Sequence, residues 1–172
     1  MGAAGRRAAA LAAAVALALG ACAGRRIVDG VYRAPAGYEV RLPGPAWVVA
    51  DESRADLELR HRTAPAGMLV NAVCDPAVAR RGWDVLGRHL LLGVRDRVVV
   101  EDNEVPVNGR VASHRLLEGR MRQNDARVRI ESYTLKGGRC VYDLVYVAAP
   151  DAFETWRGDF HRFVESFAGE QE

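Results

Sequence analysis

From residue 38 onward the chain alternates apolar and polar residues with a period of two, interrupted by two stretches with the period of a helix. Tyr38-Glu39-Val40-Arg41-Leu42 alternates apolar and charged side chains, which predicts a half-buried strand. Pro43-Gly44-Pro45 turns the chain, and a short apolar run follows from Trp47. Leu57 to His61 alternates again, Ala64-Pro65-Ala66-Gly67 has turn chemistry, and an apolar run ends at Cys74, so 57–74 predicts a hairpin. Another strand surrounds Val98, Val99 and Val100, and Asn108-Gly109 marks a tight turn. Residues 110–121, 127–136 and 139–148 then read as a meander, turning near Asn124 and at Gly137-Gly138. In the last of these runs both faces carry apolar residues, which suits a central strand covered on both sides. Helical spacing appears over 82–94, where Trp83, Leu86, Leu90 and Val94 share a stripe. It returns after Pro150, where Phe153, Trp156, Phe160, Phe163, Val164 and Phe167 form an aromatic stripe. Asp151 with Glu154 three residues on gives that helix a capping-box-like start. The pattern predicts one α+β domain: a central antiparallel sheet flanked by helices.

The first 22 residues follow neither period. Arg6 and Arg7 precede a short Ala/Leu/Val run, and small residues lead into Cys22. This is the layout of a secretory signal, and the apolar run is shorter than the ~20 residues of a membrane-spanning helix. Leu19-Gly20-Ala21-Cys22 resembles the bacterial lipobox, which implies a signal peptide over 1–21 and diacylglyceryl and palmitate-type acylation of Cys22. Ala23 in place of Asp implies, by the same resemblance, an outer-membrane anchor with the domain on the periplasmic side. Residues 22–35 then read as the lipidated N-terminus and tether, 36–168 as the folded domain and 169–172 as a C-terminal tail.

Charge and cysteine count change meaning once the signal is set apart. The chain has 24 Lys+Arg and 22 Asp+Glu; without Arg6 and Arg7 the counts are 22 and 22, a net charge of zero. No basic face remains to support nucleic-acid binding. Cys74 and Cys140 are the two thiols left after Cys22, and an oxidising compartment predicts a disulfide between them. The alternative is a pair of buried thiols packed as small apolar groups.

Gly37-Tyr38-Glu39-Val40-Arg41-Leu42-Pro43, followed by Trp47 and a hairpin ending in an apolar strand, resembles the opening of the PsbP-like fold. Asn71-Ala72-Val73-Cys74, His89-Leu90-Leu91-Leu92-Gly93, Cys140-Val141-Tyr142-Asp143-Leu144-Val145-Tyr146 and the Phe160 to Phe167 segment resemble bacterial lipoproteins of unassigned function. The resemblance spans roughly residues 31–168 and implies a central antiparallel sheet sandwiched between helices. Its motifs are packing motifs, so it implies a fold more than an activity.

Chemistry is sparse along the sequence. His61, His89, His114 and His161 show no i, i+4 pair and no Cys/His cluster, so no metal site is expected. Ser113 and His114 are adjacent on a strand and point to opposite faces. The sequence contains no nucleophile elbow, dinucleotide fingerprint or P-loop, and no cofactor is expected. Asp143, inside an apolar strand, needs a partner, with Arg115, Arg120 or Arg129 available on neighbouring strands. The expectation is a non-catalytic binding or assembly module, held to the bilayer through acylated Cys22 and docking on an envelope protein. A second reading is a small-ligand carrier with an apolar pocket or interface formed by Trp83, Tyr142, Tyr146 and Trp156. A third, an envelope hydrolase, would need Asp143, His89 or His114 to converge in a cleft.

Overall fold

A computed structural model describes residues 26–86 and 93–170. The signal segment, Cys22 and His89 therefore lie outside the described residues. Seven antiparallel strands form the main sheet: β4 (Trp47–Val49), β5 (Leu57–His61), β6 (Ala66–Val73), β7 (Val94–Val107), β8 (Arg110–Met121), β9 (Arg127–Lys136) and β10 (Val141–Ala148). Their spatial order is β4-β5-β6-β10-β9-β8-β7. β10 is thus the middle strand and is buried on both faces except at the half-buried Val147, as its two-sided apolar sequence requires.

Three short strands, β1 (Arg26–Val28), β2 (Val31–Arg33) and β3 (Glu39–Arg41), make a second sheet. Residues 26–33 were expected as tether. They form a hairpin instead, because Asp29 and Gly30 both adopt positive φ (52° and 72°), the geometry of a tight two-residue turn. Tyr32 on β2 is buried, and its hydroxyl donates to the Asp56 carbonyl at 2.9 Å. Where the tail begins the chain is tied to the domain: Ala168 bridges Glu39, and the Gly169 carbonyl accepts from Arg110 at 2.6 Å.

The helices are unequal. Asp75 caps α1 (Pro76–Ala79), its side chain accepting from the Ala77 amide at 2.7 Å. α2 (Trp83–Leu86) is a single turn. The helix expected over 82–94 does not reach its far end, because Val94 already belongs to β7, paired with Met121. α3 (Phe153–Glu165) is the one long helix among the described residues. Its start does not use the expected capping box: Ala152 occupies the cap position without a side-chain bond, and Glu154 turns to Arg129 at 3.2 Å. Its aromatic stripe packs as expected, with Phe153, Phe160 and Phe163 wholly buried against Leu57, Met68, Val70, Leu144 and Tyr146. On the opposite face Val94, Leu117, Val128, Ile130 and Val145 form one cluster, and Ala79, Leu86 and Val141 another. The domain is α+β and dominated by its sheet, with one substantial helix on one face and two short helical turns on the other.

Candidate functional site

Alternation along β9 places Glu131, Tyr133 and Leu135 on the face that α3 covers, since they pair with Tyr146, Leu144 and Tyr142 of β10. Across the next ladder His114 of β8 stands opposite Tyr133, and Asn103 of β7 opposite His114. Above them α3 presents Arg157 and His161, one turn apart and therefore on one side of the helix. His114, Tyr133, Arg157 and His161 converge on Glu131, which is completely buried. Arg157 grips its carboxylate with two bonds, Nε to Oε2 at 2.8 Å and Nη2 to Oε1 at 3.0 Å. His114 Nε2 lies 2.9 Å and His161 Nε2 3.2 Å from Oε1, and the Tyr133 hydroxyl donates to the same oxygen at 3.3 Å.

Burial alone pushes the Glu131 carboxyl up, but hydrogen bonds from His114, Arg157 and His161 outweigh it and hold the group down at about 2. The carboxylate is therefore ionised, and each imidazole Nε2 facing it carries a proton. Burial and the neighbouring Glu131 charge push the Tyr133 hydroxyl up, so it stays protonated as a donor. The Glu131 hydrogen bond raises Arg157 further. A general base works best with a pKa near the working pH. Glu131 lies far below that range, and its oxygens are engaged by four side chains. The cluster fastens a helix to a sheet.

The cluster forms one wall of an open cleft of about 360 Å³, in which Glu131, His114, Arg157 and His161 are joined by Glu101 and Asn103 among others. His114 Nδ1 points toward it, 3.0 Å from Asn103 Oδ1 and 3.8 Å from Glu101 Oε2. The cleft is polar. Among the described residues no group of three His, Cys, Asp or Glu side chains is arranged to hold a metal ion.

The residues singled out in the sequence fall elsewhere. Cys74 and Cys140 are joined in a disulfide, one step beyond the Val73–Val141 pair at the end of the β6–β10 ladder. Tyr142 and Tyr146 are wholly buried under α3. The Tyr146 hydroxyl donates to the Phe153 carbonyl at 3.0 Å, and the Tyr142 oxygen accepts from the Glu170 amide at 3.3 Å. Trp156 lies against His61, with ring centroids 3.9 Å apart. Trp83 is on the other face of the sheet, beside Leu86 and Val141, with Lys136 Nζ 4.3 Å above its ring. Trp83 therefore shares no pocket with the other three, because the sheet lies between them. The groups whose meeting would make a hydrolase are also divided: Asp143 and His114 occupy opposite faces. Asp143 accepts from Thr134 Oγ1 at 2.7 Å. Arg115, Arg129 and Arg120 reach Asp102, Glu118 and Asp125 at 3.1, 3.6 and 3.5 Å. Glu131, Arg157 and His161 were not singled out in the sequence. A charged residue alternating with Tyr133 and Leu135, and an Arg/His pair one turn apart on α3, were the available signals.

No protein-family model matches the chain, and no curated protein matches it. Solved structures do. The cyanobacterial PsbP protein CyanoP from Synechocystis superposes with a TM-score of 0.55 at 14% identity, covering 88% of this chain and 98% of that one. LpqN of Mycobacterium tuberculosis, described as involved in cell envelope biogenesis, gives 0.52 at 19% identity, covering 78% of this chain and 84% of its own. At these identities the likeness is one of fold, and the fold is PsbP-like.

Proposed function

We propose that this chain is an extracytoplasmic, lipid-anchored module that works by binding and assembly and carries out no catalysis. The observation that carries the reading is the state of the Glu131 cluster. Its ionisable groups are engaged by one another in holding α3 down, which leaves a rigid surface with no poised acid–base pair. The Cys74–Cys140 disulfide supports an oxidising compartment. Leu19-Gly20-Ala21-Cys22 supports acylation of Cys22 and an outer-membrane anchor facing the periplasm. LpqN, with the same fold, is described as an envelope biogenesis protein, which agrees with a partner among envelope proteins. An anchor raises the local concentration of the domain for such a partner.

The test is crosslinking in intact cells of the native host, followed by mass spectrometry, with wild type and Cys22→Ala compared. One reproducible envelope partner, with Cys22→Ala unlabelled by lipid and released from the membrane, is the expected result. A Cys22→Ala protein that still takes up lipid overturns the anchor, and turnover of a substrate by the purified protein overturns the non-catalytic reading. A second reading, a small-ligand carrier, is favoured by the cleft beside His114. That cleft suits a polar ligand and not the apolar one expected from the aromatic residues. Native mass spectrometry of the purified protein distinguishes the two, because a carrier retains an added mass.

A further inference from the structure

The three-stranded sheet is open on one side. Pairing across β1, β2 and β3 puts Ile27, Tyr32 and Val40 in one row, and all three pack into the main core. The rows on either side of it leave by the opposite face. Val28, Val31 and Arg41 make one of them, and the other contains Arg33 and Glu39. Val28 is 53% exposed, Val31 is half-buried, and Arg33, Glu39 and Arg41 are exposed. Arg33 holds Glu39 at 3.1 Å, and Arg41 has no ion pair among the described residues. The outward face is thus a pair of valines with two guanidinium groups beside them. Its one acid is already neutralised, and Asp29 belongs to the turn at its rim.

Chain length says what lies against this face. Arg26, where β1 begins, is four residues after Cys22. An extended chain spans at most about 3.5 Å per residue, so β1 starts within ~14 Å of that cysteine and Val28 lies within ~20 Å of it. Acyl chains on Cys22 therefore hold the small sheet at the level of the lipid headgroups. Guanidinium groups bind phosphate in a planar, two-point fashion, and an anionic membrane surface attracts arginines that come within a Debye length of it.

We infer that the outward face of β1–β3 rests on the surface of a bilayer containing anionic phospholipid, with Arg33 and Arg41 on the headgroup phosphates beside Val28 and Val31. The inference rests on the acylation of Cys22 proposed above and adds an orientation to it: the domain lies with this face toward the membrane.

The experiment uses full-length acylated protein carrying Val28→Cys, labelled at that thiol with a fluorophore and reconstituted into vesicles that contain nitroxide-bearing headgroups. Cys74 and Cys140 are bonded to each other, and an acylated Cys22 takes no label. Val98→Cys is the control. Val98 is 62% exposed and pairs with Glu118, at the end of the main sheet away from Tyr142, on which Tyr38 packs. The expected result is strong quenching at position 28 and little at 98 in vesicles of phosphatidylethanolamine and phosphatidylglycerol. Quenching at 28 falls when phosphatidylcholine replaces phosphatidylglycerol, and falls again in high salt, which screens the attraction. Arg33→Gln with Arg41→Gln weakens the docking equilibrium about fivefold for each arginine removed, while circular dichroism stays unchanged. Mass spectrometry of the Cys22 peptide reads the anchor in the same samples. A Cys22 without lipid overturns the anchor and this inference together. An acylated Cys22 with equal quenching at 28 and 98 overturns the inference alone. So does quenching at 28 that ignores lipid charge, salt and both arginines, because the reach of the tether then accounts for all of it.

Discussion

Glu131 occupies a position that strand alternation assigns to the interior, between Tyr133 and the arginine at 129 on the same face of β9. An isolated carboxylate there would be costly; two bonds from Arg157 and one from each of two histidines make it tolerable. The pH dependence follows from the direction of its shift. Its carboxyl is lowered from 4.5 to about 2 in the folded protein, so the stabilisation is complete above the unfolded value. It is lost as pH falls from there toward 2. A shift of that size corresponds to about 3 kcal/mol. Urea unfolding at pH 7 and pH 3 should show the wild type losing stability at the lower pH. Glu131→Gln should start lower at pH 7, by about 3 kcal/mol, and lose less on acidification. A variant with the acid sensitivity of the wild type would place that sensitivity in another carboxylate.

α3 is held by its apolar face and from both flanks. Its aromatic stripe fills the core, Asp159 accepts from Trp47 Nε1 at 2.7 Å on one side, and Arg157 and His161 reach Glu131 on the other. Phe163→Ala is expected to destabilise the domain by about 3–5 kcal/mol in denaturant melts, through lost burial and the cavity left behind. The stripe was legible in the sequence because thirteen residues display several turns of the 3.6 period. The meander from 110 to 148 was legible for a similar reason, its long alternating runs being separated by turn residues near Asn124 and at Gly137-Gly138. β1 and β2 were not, since three residues are too few to show a period, and Asp29-Gly30 was the single sign of their turn. Val94 continued a helical stripe in sequence, yet pairing with Met121 decided its conformation. The Glu131 cluster escaped the sequence reading because its members lie 17, 26 and 30 residues from Glu131. Spacing along the chain carries no trace of a meeting produced by register and by the docking of a helix.

At the scale of the molecule the main sheet consists of two consecutive pieces of chain. β4, β5 and β6 come from the first, β7 to β10 from the second, and the pieces join along the β6–β10 ladder. The Cys74–Cys140 bridge closes the end of that seam across 66 residues, which in the chain-entropy model is worth about 4 kcal/mol. Reduction should lower the melting temperature of the wild type, and Cys74→Ser with Cys140→Ser should melt at the reduced value with or without reductant. A melting temperature indifferent to reductant would mean that the ladder alone sets the stability of the seam.

The place of β10 in the sheet also bears on the order of events when the chain folds. β7, β8, β9 and β10 pair with their neighbours in sequence, and such local contacts form early. β6 has its own hairpin with β5, yet its other edge must wait for the last strand to be made. Until residue 148 is available the first half of the chain carries an open, apolar strand edge. The β6–β10 seam therefore closes only once β10 is made, and a chain cut short before β10 would display β6 as a ready template for aggregation.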